Sequence, residues 1–318
     1  MIPAILPKKA SIETCTTCNH ACVYCPVSQF PVSQQVMDIQ LFRHVMDELV
    51  SLGRKMKRIS FNHYNEPLID PYLVERVHIA LGYTFFQKIL LNTNLSILRE
   101  DLPENVRFAR DRLEFNINLP TTDPERYRQL HGRDHYQRVE RNLERLHEMG
   151  FAVRINVQSN KFTTPTERQG VIERFGGLGA VDTIYSGSRG GLVDVQIPGN
   201  LEKEPGVLAG CAQNRPVDYV HIGIQGEVFL CCQDFFKECR LGDLTQHRLV
   251  EILNSEPAKT YLESIYAGRE SPPNFICKRC EFAIYERDQA EGVIGEVSGE
   301  VGEENASRPE SQTPDSRR

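Results

Sequence analysis

Apolar and polar positions over the first 185 residues switch between two periods. Short runs that alternate or stay apolar, Ala10–Thr14, Arg58–Asn62, Lys88–Thr93, Leu113–Leu119, Phe151–Val157 and Val181–Tyr185, predict six strands. Leu113–Leu119 (LEFNINL) alternates strictly, which gives it one polar face. Between these runs the apolar residues recur at helical spacing. Asp38 is placed to cap a helix whose Ile39, Phe42, Val45, Met46, Leu49 and Val50 share a face. Further helices are predicted around Pro71–Leu81, over Leu98–Ala109, and in a long stretch ending at Met149, where Gly150 supplies a stop. Strands alternating with helices predict an α/β fold of parallel βαβ units. The periodicity is equally compatible with a doubly wound sheet and with a barrel.

The pattern changes after a loop near Pro198–Gly206. Tyr219–Ile224, Gln225-Gly226 and Glu227–Cys231 read as a hairpin, followed by Leu241–Leu244 and a helix through Ile252 to Ala267. From Glu286 onward the chain is rich in Gly, Glu, Ser and Pro without any aromatic residue, a composition too poor in apolar surface to order itself. Three segments are therefore expected: a main α/β domain over 1–200, a small second domain over 201–285, and a disordered acidic tail over 286–318.

Charge and composition narrow the partners. The 318 residues are 40% hydrophobic and 25% charged, ordinary for a globular enzyme. The tail holds nine acidic and four basic residues, a net −5, which leaves −1 of the total −6 for Met1–Tyr285. A nearly neutral body without a basic stripe argues against nucleic acid as a partner. No apolar run approaches the ~20 residues that span a bilayer. The start, MIPAILPKKA, lacks the apolar core of a signal peptide, so a cytoplasmic location is expected. Ten cysteines in such a chain speak for metal or redox chemistry.

Seven of those cysteines fall into two constellations. Cys18, Cys22 and Cys25 are spaced C-x3-C-x2-C, one thiolate short of the set that holds a cubane iron–sulfur cluster, with the aromatic Tyr24 before the last. Zinc usually takes four ligands in paired spacings, and no histidine pair stands beside this loop to complete such a site. Cys211, Cys231, Cys277 and Cys280 provide four thiolates, a number that suits either zinc or an iron–sulfur cluster.

The three-cysteine loop resembles that of the radical S-adenosylmethionine (radical SAM) superfamily. The resemblance implies a partial six-stranded (β/α) barrel and a [4Fe–4S] cluster whose open iron is chelated by SAM. One electron then cleaves SAM to methionine and a 5′-deoxyadenosyl radical. It implies SAM-binding roles for Tyr24, for Asn65 and Glu66 in the segment Tyr64–Pro67, for Asn94 after the third strand and for Asn118 on the fourth. The family has glycine where this chain has Asn65, a residue that tolerates positive φ well. The four later cysteines resemble the ligands of a twitch/SPASM-type auxiliary domain, which implies a second [4Fe–4S] cluster. A flavodoxin- or ferredoxin-type electron donor follows from the same resemblance.

Within that superfamily, Ile12 to Cys280 resembles enzymes that oxidise a secondary alcohol of an aminocyclitol. This implies a sugar- or aminocyclitol-like small molecule as substrate, Arg189 at the alcohol oxygen, and the second cluster as acceptor of the remaining electron. Guanidinium stays protonated in proteins, so Arg189 is expected to position and stabilise an oxygen anion, not to act as a base. Three cysteines are left over: Cys15, Cys232 and Cys239. Inert packing is the ordinary expectation for each; if Glu227–Cys231 is a strand, Cys232 faces away from its neighbour, free either to pack inertly or to donate hydrogen as in radical SAM epimerases. Epimerisation is therefore the second reading. Maturation of a ribosomal peptide ranks third, because 17 residues ahead of Cys18 are few for a leader-binding domain. An iron–sulfur electron carrier ranks last, having no use for an open iron.

Overall fold

Six parallel strands lie side by side in chain order: β1 (Lys9–Ile12), β2 (Met56–Ser60), β3 (Phe86–Thr93), β4 (Leu113–Asn118), β5 (Ala152–Gln158) and β6 (Ala180–Ile184). The computed structural model describes residues 2–184, 187–195 and 206–290. An order without reversal is what separates a singly wound sheet from a doubly wound one. Right-handed crossovers then bring every connecting helix to the same face, and the sheet curls into a partial barrel. The connections are α1 (Ile39–Ser51), α2 (Leu73–Leu81), α3 (Leu102–Asn105), α4 (Pro124–His131) with α5 (Tyr136–Glu148), and α6 (Pro165–Phe175).

Local chemistry explains where these helices begin and end. The Asp38 carboxylate accepts from the Gln40 and Leu41 amides, and Phe42, Val45, Met46 and Leu49 are fully buried; Val50, expected on that face, is 41% exposed. The helix expected over Leu98–Ala109 is only α3 and a 3-10 turn, Arg107–Ala109. Pro103 cannot sit inside a helix begun at Leu98, but it is tolerated in the first turn of one begun at Leu102. The long stretch before Met149 is two helices, divided at Gly132 with φ +67°. Helix α6 was not anticipated, although Thr164 and Glu167 form a reciprocal capping box.

The second half comprises β7 (Leu208–Cys211), α7 (Arg215–Asp218), β8 (Tyr219–Ile222), β9 (Glu227–Phe229), β10 (Arg240–Asp243), α8 (Leu249–Leu253), α9 (Glu256–Tyr266), β11 (Ala283–Tyr285) and α10 (Glu286–Ala290). The predicted hairpin is present as β8–β9, but β9 stops at Phe229, before the two adjacent cysteines. The single helix expected up to Ala267 is broken because Ser255 caps a new start, with Pro257 in its first turn. Strand β8 pairs parallel with β1, so the sheet runs β10-β9-β8-β1-β2-β3-β4-β5-β6, across the boundary expected after residue 200. Strands β7 and β11 form a separate antiparallel pair. The expected tail opens with the turn of α10; residues 291–318, like Tyr185 and the loop 198–205, lie outside the described residues.

One main core is shared by both halves. A satellite core of Tyr24, Leu130, Val193 and Val195, with Cys22, Val23, Phe162 and Leu192 against it, lies beneath the cysteine loop. Among the described residues, no helix is long and apolar enough to cross a membrane.

Candidate active site at the carboxyl ends of the barrel strands

The loop after β1 carries Cys18, Cys22 and Cys25, and it is laced to the end of α4. The Ala21 amide donates to the His131 carbonyl (3.1 Å) and Val23 to Leu130 (3.0 Å). Gly132, left-handed, comes so close that a Cβ there would stand 3.1 Å from the Ala21 carbonyl oxygen. The three thiols are close enough to raise one another's pKa, and burial is the larger cause: it pushes Cys18 up to about 12 and Cys22 well above the ordinary value, with Cys25 also raised. Buried thiols that repel one another as thiolates fit a bound cation, whose charge reverses that balance.

Histidines absent from the sequence reading surround this loop. His20 and His131 face each other with their Nδ1 atoms 3.2 Å apart, and His20 Nε2 lies 3.1 Å from His135 Nδ1. His131 Nε2 is 2.7 Å from the Tyr24 hydroxyl, which accepts from Asn118 Nδ2 (2.9 Å), and Cys22 packs against Tyr24. Ring nitrogens of His20 and His131 and the Cys22 sulfur lie within 4.8 Å of one another. Burial pushes His20 down to about 3 and His131 well below the usual imidazole value, so both rings are neutral. The signal available in the sequence was the His-x3-His spacing at 131 and 135, next to a helix-ending Gly132.

The other strand ends converge on the same mouth. Glu66 is buried and accepts from Leu68 N (3.0 Å), Thr93 Oγ1 (2.6 Å) and Asn94 N (2.7 Å), which joins the β2 and β3 exits. Burial outweighs those donors and raises its pKa to about 7. Asn94 also donates to Asn19 Oδ1 (2.9 Å), beside Cys18. Asn65 is not at positive φ, contrary to expectation. Its side chain closes the turn instead, accepting from His63 N (2.8 Å) and donating to Phe61 O (3.2 Å) and the Cys15 sulfur (3.3 Å). Cys15 is thus a packing partner. Asn118 keeps a buried Oδ1 without a partner, as does Asn116 on the same polar face of β4.

The second thiol set is assembled from three segments. Cys211 ends β7, Cys277 and Cys280 precede β11, and Cys211 is an electrostatic neighbour of Cys231, Cys277 and Cys280. Cys239 is buried beside Cys277, and burial pushes its thiol up to about 12. Because β9 ends at Phe229, the strand alternation expected for Cys231 and Cys232 does not apply; the Cys231 sulfur accepts from the Gln233 amide (3.5 Å), and the two thiols are electrostatic neighbours. Arg215, half-buried against the Phe282 ring, places Nη1 3.5 Å from the Cys232 sulfur.

Arg189 stands between the two sets. Its backbone, at φ +57°, is held by Gln233 Oε1 (2.9 Å), and the preceding Ser188 amide by Glu281 (2.6 Å), residues adjacent to Cys232 and Cys280. Its guanidinium lies over the Tyr64 ring at 5.6 Å, feels both Cys25 and Cys232, and has no carboxylate partner among the described residues. Its Nε is buried and unpaired. Burial alone would pull its pKa down, but Tyr64, Cys25 and Cys232 together hold it above the usual guanidinium value. A cavity of about 400 Å³ opens beside Tyr64, bounded by Phe30, His63, Phe235 and the ion triad Glu13–Lys237–Glu227.

A barrel whose strand-end loops bring three half-buried thiols to polar, partly unsatisfied side chains, with a four-thiol site alongside, defines a class. Residues 12–167 match the model of the radical SAM superfamily, and residues 211–281 match SPASM, an iron–sulfur cluster-binding domain. The chain is a radical SAM enzyme with a C-terminal SPASM domain, and its cofactors are SAM and [4Fe–4S] clusters. Among curated proteins it is 28% identical over 135 residues to GTP 3′,8-cyclase of Chlorobaculum tepidum, covering 42% of this chain and 39% of that relative. It is 22% identical over 284 residues to S-adenosyl-L-methionine-dependent 2-deoxy-scyllo-inosamine dehydrogenase of Niallia circulans, covering 85% of this chain and 90% of the relative. The fold is shared with BtrN, solved with AdoMet and 2-DOIA (TM-score 0.55, 19% identity, 89% of this chain and 100% of that one). It is also shared with SuiB of Streptococcus suis, solved with the precursor peptide SuiA (TM-score 0.67, 12% identity, 87% and 70%).

Proposed function

We propose that this enzyme oxidises a secondary alcohol of a sugar- or aminocyclitol-like molecule to the ketone. The observation that carries the reading is Arg189, whose buried Nε is unpaired and whose loop is held by Gln233, next to Cys232, and by Glu281, next to Cys280 of the second thiol set. Cys18, Cys22 and Cys25 hold the SAM-binding cluster, and Cys211, Cys231, Cys277 and Cys280 hold the second. Asn118, through its free Oδ1, and the backbone around Asn65 and Asn94 receive SAM, while Glu66 keeps those two exits together. When bound, these groups supply a 5′-deoxyadenosyl radical that takes the carbinol hydrogen and a cluster that accepts one electron. Arg189 holds the alcohol oxygen and stabilises the negative charge left when its proton departs, the state from which the electron leaves most readily. A cation partly withdrawn from water is worth more to a developing oxyanion than the same group fully solvated. Tyr64 and Phe235, in edge contact at 4.9 Å, shield that place from solvent. A flavodoxin- or ferredoxin-type protein supplies the priming electron.

Cys232, the residue an epimerase would need as hydrogen donor, is engaged by Arg215 and Cys231. We therefore rank oxidation first. The test is anaerobic incubation with SAM, dithionite and a panel of aminocyclitols and sugars in deuterium oxide. Ketone formed in step with 5′-deoxyadenosine, without solvent deuterium at carbon, supports the reading. An inverted alcohol carrying one deuterium, lost in Cys232→Ala, replaces it with epimerisation.

A further inference from the structure

Two ring nitrogens that face each other at 3.2 Å must share one hydrogen, because two would clash and none would leave opposed lone pairs. The same holds for each link from His135 through His20 and His131 to the Tyr24 hydroxyl, at 3.1, 3.2 and 2.7 Å. A neutral ring carries a single N–H, so the links cannot be set independently. The chain has two polarities only. In the outward one, the Tyr24 hydroxyl donates to His131 Nε2, and each ring passes its hydrogen on toward His135. In the inward one, His135 Nδ1 donates to His20, His20 Nδ1 to His131, and His131 Nε2 to the Tyr24 oxygen. That oxygen then accepts twice, from His131 and from Asn118 Nδ2 (2.9 Å), and its own hydrogen is free to turn to Cys22, which packs against Tyr24 with its sulfur within 4.8 Å of a His131 ring nitrogen.

We infer that the inward polarity is the working one: Tyr24, oriented by Asn118 and the triple-histidine chain, donates a fixed O–H···S hydrogen bond to Cys22 and thereby raises the reduction potential of the cluster in this loop. An iron-bound thiolate is the strongest acceptor within reach, and a charge-assisted bond to it outweighs one to a neutral ring nitrogen. Hydrogen bonds to ligand sulfurs stabilise the more negative, reduced state of a cluster. The arrangement is fixed in place by packing. His20 and His131 are 4% and 0% exposed, the Tyr127 ring stacks on His131 at 4.1 Å, and only His135 reaches toward solvent. Tyr24, His131 and His20 are thus positioning residues toward the cluster. The inference rests on the reading that Cys22 is a ligand.

The experiment is an EPR-monitored redox titration of the reconstituted full chain without substrate, following the signal that changes on adding SAM. Tyr24→Phe, which removes only the hydroxyl, should shift that midpoint to more negative potential and leave the other cluster's midpoint in place. His131→Leu should shift it in the same direction but less, and His131→Gln, whose amide can still donate to the Tyr24 oxygen, should recover part of the loss. In wild type, exchange into deuterium oxide should reveal a strongly coupled exchangeable hydrogen by ENDOR at the reduced cluster; this readout stands even if Tyr24→Phe assembles poorly. An unchanged midpoint in Tyr24→Phe, or no exchangeable hydrogen at the wild-type cluster, overturns the proposal. A Cys22→Ala protein that kept the SAM-sensitive signal would instead overturn the ligand reading on which it rests.

Discussion

The two thiol sites use the same side chain to opposite ends. The first is contiguous, three cysteines within eight residues on a loop, and its open side faces the strand-end asparagines and Glu66. The second is gathered from three distant segments, with four thiols and a half-buried cation, Arg215, beside it. Three ligands on a loop at a barrel mouth leave room for an outside molecule. Four ligands, three of them around the β7–β11 pair and Cys231 just after β9, would leave none, which suits a group that only takes up charge. On the proposed reading, that difference in ligand number divides radical generation from electron acceptance.

The largest effect that tests this division comes from removing each site separately. Reconstituted protein should hold about eight irons as two cubanes. Replacing Cys18, Cys22 and Cys25 by alanine should halve that and abolish 5′-deoxyadenosine release, measured by iron assay and chromatography. Replacing Cys277 and Cys280 should also halve the iron yet leave SAM cleavage running without ketone. If both variants lose SAM cleavage equally while remaining folded, the division of labour is wrong.

Arg189, between the sites, gives the next effect. Arg189→Met should lower ketone formation by roughly 10²–10³, the scale of a lost oxyanion contact, while 5′-deoxyadenosine still forms. The measured quantity is the ratio of the two products, and a ratio that stays constant would remove Arg189 from the alcohol oxygen.

Glu66 separates the open site from the closed one by pH. Its carboxyl is raised by burial from 4.5 to about 7 in the folded chain without cofactors. The protonated form therefore contributes stability that is fully present below the unfolded value and lost as pH rises through about 7, on the order of 3 kcal/mol in all. Denaturant melts of apo protein at pH 5 and 8 should show that loss, and Glu66→Gln should flatten it. The smallest effect is a control away from both sites: Thr164→Ala breaks the α6 capping box and should cost about 1 kcal/mol of stability without altering iron content.

Much of the frame was legible because it is local. Strand periodicity marked all six barrel strands within a few residues, Asp38 marked the start of α1, and the C-x3-C-x2-C spacing marked the loop that stands at the barrel mouth. Errors arose where a long-range partner decided. Asn65 was read through its tolerance of positive φ at a position where the family has glycine, but its neighbours Phe61, His63 and Cys15 give its side chain work in an ordinary conformation. Cys232 was assigned the face opposite Cys231 on the assumption of a strand that in fact ends at Phe229.

The sequence by itself determined the class of chemistry, because ligand spacing within one loop and apolar period within one element are set by neighbours in the chain. Only the tertiary structure decided that β8 extends the barrel sheet past β1, that Arg189 is buried without a carboxylate, and that His20, His131 and His135 line up behind Tyr24. Each of these depends on groups brought together from more than a hundred residues apart, and a hydrogen bond or a lost hydration shell exists only once both partners are in place.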